Sequence, residues 1–524
     1  MQPVAVIGLS SLFPDSSDPH TFWENLVAGK DSRVEASPDQ MDIDPYRFFD
    51  PKKGTLDRYY CLRGGYIQDF KLDPEGFALD AQTVNRLDEV HQWTFYVARE
   101  ALRDGGHLQK KELLQNCGLI LGNLSFPTRS SNHHLLPLYR KAYEKQLSEL
   151  LKEPNFKLEA FASERDPIFE NLGISGLPAH LTGKALDLGG PTLALDAACA
   201  SSLYSVGLAC HYLHAGKAEL MLAGAVSAAD PFFINMGFSI FQAYPEKGES
   251  CPLNKDSGGL FASEGAGMFL LKRLDDALRD GDQVHAVIRS VGWSNDGRGQ
   301  FVLSPNPKGQ VLAFERAYSE SGIEPTKIDY VECHATGTPL GDKVELNSME
   351  TFFGRYGAKP RIGSVKSNLG HMLTAAGMGG MTKVILSMKH GMIPPTIHVE
   401  SPMESGNGGI SSDLIVRETC EWPHRDEQKH ATVSAFGFGG TNAHLLFDRL
   451  PDATLPKTKK SEPPRLAIIG MEGVFGPCNG LDSLYETFFE GRSHSESLPP
   501  KRWKGMEQDK ELLNQYGFDK DSLQ

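Results

Sequence analysis

The sequence predicts an α/β protein whose sheets are covered on both faces. Short apolar runs such as Val4 to Gly8 and Cys117 to Gly122 show no polar alternation, which is how strands read when both faces are buried. Segments with helical periodicity lie between them, and the order strand, helix, strand recurs in both halves of the chain.

Taken in order, Val4-Ala5-Val6-Ile7-Gly8 enters a strand at once. The continuation to Phe13 lacks the second and third glycines of a dinucleotide-binding turn, which argues against a nucleotide site there. Phe22 to Leu26 reads as a short amphipathic helix. Residues 31–80, rich in Asp, Pro and aromatics, read as irregular chain over the surface, with Tyr59-Tyr60-Cys61 and Gly64-Gly65-Tyr66 able to pack inward. Val90 to Leu102 is a helix and Cys117 to Gly122 a strand. Residues 136–165 carry Lys and Glu at helical spacing, the pattern of a solvated surface helix. Thr192 to Leu195 is a buried strand, followed by a sharp turn and a helix of small and apolar residues, Ala200 to Leu213. Strands follow at Met221 to Ser227, Gly265 to Leu271 and Val284 to Ile288. The second half gives helix Val311 to Ser321, strand Ile328 to Cys333, helix Asp342 to Tyr356, strand Arg361 to Val365 and helix Ala375 to Lys389. Strands Ala431 to Ser434 and Ala443 to Phe447 close the set.

Residues 451–464 form a polar Pro/Lys linker. Beyond it the beginning of the chain returns. Leu466 to Phe475 repeats Val4 to Phe13, and the register holds through Trp23 on Tyr485, Glu24 on Glu486 and Gly29 on Gly491. Residues 465–524 therefore read as the start of a second copy of the first domain, too short to bury a core of its own.

Composition narrows the function. The chain has 524 residues, more than one ordinary compact core holds, and a net charge of −14; that charge argues against nucleic acid as the main partner. Its eight cysteines include no C-x-x-C pair, so neither a metal site nor a disulfide framework is expected and a cytoplasmic location fits. The start of the chain does not resemble a signal peptide, and no apolar run reaches the ~18 residues of a membrane span.

Cys199 lies between the strand Thr192 to Leu195 and the helix after it. A thiol at a helix N-terminus feels the positive end of the macrodipole, so a favoured thiolate is expected. Three glycine-rich stretches follow. Glu332-Cys333-His334-Ala335-Thr336-Gly337-Thr338 is a tight loop after a strand, and Lys366-Ser367-Asn368-Leu369-Gly370-His371 lies between a strand and a helix. Ser434 to Asn442 is read as a loop with exposed N–H groups. One thiol and two imidazoles suit acyl-thioester chemistry. The thiolate takes the acyl group, and the imidazole N–H groups polarise a second thioester carbonyl. Backbone N–H groups at Cys199 and in the 437–440 stretch can form an oxyanion hole.

The motifs Asp-Ala-Ala-Cys-Ala-Ser-Ser (196–202), Glu-Cys-His-Ala-Thr-Gly-Thr-x-x-Gly-Asp (332–342), Lys-Ser-Asn-Leu-Gly-His (366–371) and Gly-Phe-Gly-Gly-Thr-Asn (437–442) resemble the β-ketoacyl-acyl carrier protein synthase family. Phrases at 230–241 and 297–308 are similar to the ketosynthase that precedes a chain-length factor in polyunsaturated fatty acid synthases. The resemblance implies a thiolase fold, five layers αβαβα built from two similar halves. It implies a ketosynthase domain over 1–450, with halves of about 1–290 and 291–450, and a truncated chain-length factor from 465. It also implies decarboxylative Claisen condensation with malonyl-acyl carrier protein. Cys199 would be the acylated nucleophile, His334 and His371 the decarboxylating pair, and Lys366 the buried lysine behind them with Glu345 as its charge partner. Thr336 and Thr338 would hold the phosphopantetheine arm, and Phe438 would flank the acyl pocket and lend its N–H to the oxyanion hole. No metal or bound cofactor is implied; the pantetheine arrives on the carrier protein. Partners would be acyl carrier protein and either a chain-length-factor domain or a second copy. Arg129, Arg298 and Lys308 are candidate docking cations. Two alternatives stay open: a thiolase-type enzyme, against which His371 speaks, and a non-catalytic chain-length-controlling partner, against which Cys199 speaks.

Overall fold

A computed structural model describes residues 2–158, 168–246, 248–298, 304–423, 428–449, 466–495 and 510–515. The chain divides into two units, one of Met1–Ser131 with Asp166–Thr458, the other of Asn132–Arg165 with Lys459–Gln524.

In the first unit, β1 (Val4–Leu12), β2 (Cys117–Gly122), β3 (Thr192–Leu195), β4 (Leu220–Ser227) and β5 (Gly265–Arg273) come from the first half of the sequence. The second half supplies β6 (Ala286–Asn295), β7 (Tyr330–Glu332), β8 (Arg361–Gly363), β9 (Lys429–Gly437) and β10 (Thr441–Arg449). Their order in the sheet is β8-β7-β9-β10-β6-β1-β5-β4-β2-β3. The two halves share one design: the order β1-β5-β4-β2-β3 recurs with every number raised by five. The senses recur too. β5 is antiparallel to both β1 and β4, while β4, β2 and β3 run parallel; β10, β6, β9, β7 and β8 do the same. The halves join where Val4–Val6 pairs with Ala286–Ile288.

The helices α1 (Glu89–Asp104), α2 (Leu177–Ala185), α3 (Ser201–His214), α4 (Pro307–Ser321), α5 (Pro339–Phe353) and α6 (Ala376–His390) supply the other layers. α1 packs on β1, β5 and β4, and α2 on β2 and β3. On the far side, α4 packs on β6 and β10, with α5 against it. Between these, α3 touches β2 and β4 of one half and β6 and β10 of the other, while α6 touches β7, β9 and β10 and also β1 and β5. The result is the αβαβα stack that the sequence predicts. A helix with sheets on both sides must be apolar all round, and every residue of α6 from Ala376 to Met388 is buried. The two central helices approach closely because Gly377 has no side chain; a Cβ there would stand 2.2 Å from Ser202 Oγ and 2.4 Å from Leu203 Cδ1. Truncating the fully buried Leu203 to Ala would cost about 2–5 kcal/mol.

Several elements depart from expectation. β7 and β8 stop at Glu332 and Gly363 because the Val365 N–H turns to the Glu332 carboxylate at 2.6 Å instead of extending the ladder. The stretch read as a loop from Ser434 to Asn442 is a hairpin. β9 runs to Gly437 and only Phe438-Gly439-Gly440 connects it to β10, with φ of 89° and 85° at the two glycines. The Lys-rich helix spans Arg129–Leu151 and ends well before residue 165; 159–167 lie outside the described residues. A helix unforeseen from sequence, Pro231–Ile240, starts from the Asp230 carboxylate, which accepts from the Phe232 N–H at 2.9 Å. Asp before Pro at the first helical position is a start signal the sequence contains. Tyr59, Tyr60, Cys61 and Tyr66 do pack inward.

In the second unit the helix Leu481–Phe489 has the bounds of the helix Pro19–Val27, each raised by 462. Among the described residues, no helix is long and apolar enough to cross a membrane.

Candidate active site

Cys199 sits on a single turn of 3-10 helix, Ala198–Ala200, between β3 and α3. The turn is tight enough to force Ala198 to φ 49°, a conformation that costs a non-glycine residue about 1–3 kcal/mol. Four hydrogen bonds that involve side chains hold it. Ala198 N–H donates to Asp196, Ser201 Oγ donates to Ala198 O, Ala197 N–H donates to Ser201 Oγ, and Thr441 Oγ1 donates to Ala197 O. The last comes from the hairpin of the other half. That hairpin comes so close that a Cβ on Gly437 would lie 2.7 Å from Ala197 O. The approach brings the backbone N–H of Phe438 near enough to the Cys199 sulfur to favour the thiolate, as the N–H of Cys199 itself does.

His371 Nε2 lies 3.0 Å from Cys199 Sγ. The His334 ring stands across from it, with centroids 5.5 Å apart and planes at 84°. Cys199, His334, His371, Thr336, Thr338 and Phe438 all line one cavity of about 210 Å³. The Thr336 and Thr338 hydroxyls are 3.0 Å apart on its wall. Phe438 keeps 38% of its surface exposed, so its ring stands at the edge of the cavity while its N–H points inward.

The loop that carries His334 is held by carboxylates of α5. Glu345 accepts from the His334 and Ala335 N–H groups at 2.8 and 2.7 Å, and Asp342 accepts from Thr336 and Gly337. Burial pushes Glu345 up to about 7 and Asp342 up to about 6. Glu345 thus spends its oxygens on the backbone and reaches Lys366 only as a neighbouring charge. Lys366 begins a one-turn helix after β8 and is buried behind the cavity, without lining it. Burial lowers its pKa; Glu332 first and Glu345 second draw it back up.

Burial also decides the charge state of the centre. It pushes the Cys199 thiol up to about 11, against the downward pull of the Phe438 N–H and the Lys366 charge. The expected thiolate is thus corrected: removing the anion from water outweighs what one helix turn and two N–H groups return. Burial, with the Lys366 charge, lowers His371 to about 3 and drives His334 well below its ordinary value. At neutral pH the centre is a neutral thiol beside neutral imidazoles. A neutral imidazole can accept the thiol proton, and it can also donate its own N–H to a carbonyl oxygen.

Sequence reasoning missed the buried pair whose carboxylate acts on Lys366 as a neighbouring charge. Lys383 of α6 meets Glu332 at 2.9 Å, both fully buried, and the Tyr330 hydroxyl donates to the same carboxylate. The signal was present, since a lysine inside a wholly apolar helix has to be paired. Asp296, which accepts from Asn442 Nδ2 at 2.7 Å on the cavity wall, was missed as well. Of the candidate docking cations, Arg129 is taken: its guanidinium pairs with Glu89 and donates to the backbone of Asp39 and Gln40. Arg298 and Lys308 are exposed.

Residues 1–277 match the N-terminal domain of beta-ketoacyl synthase, and 285–400 match its C-terminal domain. The chain belongs to the beta-ketoacyl synthase family. A polyunsaturated fatty acid synthase subunit of Thraustochytrium sp. is 34% identical over 98% of this chain and 25% of its own length. A phenolphthiocerol/phthiocerol polyketide synthase subunit of Mycobacterium tuberculosis is 30% identical over 87% of this chain and 24% of its own. The chain thus spans about a quarter of these curated relatives. Among solved structures, the PfaC keto synthase-chain length factor is 48% identical with a TM-score of 0.94, over 99% of this chain and 56% of that one. An oxazolomycin ketosynthase domain of Streptomyces albus is 27% identical with a TM-score of 0.72, over 90% of this chain and 78% of that one. The five-layer stack is accordingly the thiolase fold of ketosynthases, a family of acyl-transferring condensing enzymes.

Proposed function

We propose that the chain elongates an acyl chain by decarboxylative Claisen condensation within a polyunsaturated fatty acid synthase. The observation that carries this reading is the His371 imidazole 3.0 Å from the buried Cys199 thiol. In the first stage Cys199 Sγ attacks the thioester of an acyl carrier protein. His371 Nε2 takes the thiol proton and returns it to the departing pantetheine sulfur, and the N–H groups of Cys199 and Phe438 hold the oxyanion. In the second stage malonyl carrier protein enters. His334 and His371 donate N–H groups to its thioester oxygen while carbon dioxide leaves, and the enolate carbon attacks the acyl carbonyl on Cys199. The Cys199 sulfur departs and takes up a proton. The product is a 3-ketoacyl carrier protein two carbons longer. Lys366 biases both imidazoles toward neutrality, Glu345 fixes the His334 loop, and Thr336 and Thr338 steady the pantetheine arm.

Residues 1–450 would form this condensing domain, 451–464 a linker, and 465–524 the start of a chain-length-factor domain. The return of the Pro19–Val27 helix at Leu481–Phe489 supports that division. β3 ends the sheet, with its side chains half-buried and no strand on its outer side among the described residues. An apolar edge of that kind calls for a partner, either a second copy or the chain-length factor. Mass spectrometry of the protein after incubation with a panel of acyl carrier proteins tests the reading. Acyl groups should appear on Cys199, and their absence from Cys199 across the panel would sink it.

A further inference from the structure

Besides the Nδ1 atoms of His334 and His371, the cavity that holds the thiol and imidazoles is lined by a residue whose buried amide oxygen has no hydrogen-bond partner among the described residues. Gln310 lies in the first turn of α4 and is 1% exposed, yet its side chain lines the cavity. Its Oε1 is buried and has no hydrogen-bond partner among the described residues. Helix capping does not account for it, because the Asn306 side chain already caps this helix on the Lys308 N–H. The position is also built rather than incidental. Ser294 Oγ donates to Gly309 O at 2.6 Å, and Gly309 is pressed so tightly to the Asp296–Asn442 pair that a Cβ there would lie 2.1 Å from Asp296 Oδ1. The turn bearing Gln310 therefore cannot swing away to find another partner.

A buried acceptor left open in a binding cavity is matched by a donor on the ligand. Under the condensing-enzyme reading, on which this inference rests, the substrate offers few donors. An acyl chain has none, and a thioester carbonyl only accepts. The amides of the pantetheine arm are the groups that donate an N–H, and each amide also carries a carbonyl that the Gln310 NH₂ can meet in return. We propose that Gln310 is a substrate-binding residue that recognises an amide of the pantetheine arm, from the cavity wall formed by α4.

The test compares Cys199 acylation by an acyl-pantetheine thioester with acylation by the S-ethyl thioester of the same acid, which has no amide. In the wild type the pantetheine thioester should be preferred in kcat/KM. Gln310→Leu should reduce that preference about tenfold, the scale set by an unpaired buried polar group. The loss should fall on KM, and Gln310→Glu, which keeps an acceptor, should recover part of it. An unchanged preference in Gln310→Leu would overturn the proposal, and so would an equal fall for both thioesters, which marks a packing role. A wild-type enzyme acylated by neither thioester would contradict the condensing reading instead. Thermal unfolding of each variant shows that the comparison is made on folded protein.

Discussion

The two halves of the first unit have the same five strands in the same order and senses, but they place different side chains at equivalent positions. After β3, the first half turns into α3 and presents a thiol at Cys199. After β8, the matching strand, the second half presents Lys366 and His371. After β2 the first half places Asn123, whose amide is spent on Ile174 O and Ser175 O; after β7 the second half places His334. The connection from β4 to β5 takes residues 228–264, whereas the one from β9 to β10 takes only Phe438 to Gly440. A duplicated scaffold fixes where strand ends lie and leaves open what stands on them. Here one half supplies the thiol and the other supplies the imidazoles and the lysine.

That division can be broken by experiment. The largest effect belongs to Cys199→Ala, which should abolish acylation in a mass assay while carbon dioxide release from malonyl carrier protein continues. Loss of both would show that the halves do not work separately. Next, His371→Ala should lower decarboxylation by at least about 10²-fold, the usual worth of a general acid–base group. Acylation, in which the same imidazole takes the thiol proton, should fall by a comparable factor, and unchanged acylation would remove His371 as the base. Gly437→Ala changes neither reactive group. It pushes the hairpin of one half off the turn of the other, and a misplacement of that size should slow acylation about 10- to 10²-fold. The smallest test leaves the sequence alone. With the thiol held up to about 11, the thiolate fraction gains tenfold for each unit that the pH rises toward that value. Alkylation of Cys199 by iodoacetamide should therefore rise about tenfold per unit across neutral pH without a plateau; a plateau near neutrality would mean that the other half stabilises the anion.

How far the sequence could be read depended on what each feature needs from the rest of the fold. β2 and β3 have the bounds their apolar runs predict, but the expected burial holds only for β2; the four residues of β3, at the edge of the sheet, are half-buried. The repeat shows the limit. Val4–Leu12 is a wholly buried strand, whereas in its counterpart 466–474 only the last residue, Val474, enters a two-residue strand, and Leu466 and Ile469 are exposed. The helices that follow, Pro19–Val27 and Leu481–Phe489, form in both places. Helix bonds are local, but a strand exists only where a neighbour pairs with it. The same contrast separates the site residues that motifs revealed from the Glu332–Lys383 pair, whose members are distant in sequence and meet only across β7 and α6. The direction of the Cys199 shift was lost for a related reason. A dipole can be read from the helix that follows, but burial comes from every layer at once.

The Cys199–His371 contact joins residues 172 apart. A chain emerging from the ribosome therefore exposes its thiol long before either imidazole has been made, and before the hairpin that brings the Phe438 N–H. Until both halves have been synthesised and have closed around α3 and α6, the thiol has no base beside it. An unfinished chain thus carries Cys199 as an ordinary thiol, and only the closed two-half fold gives it the buried setting beside an imidazole.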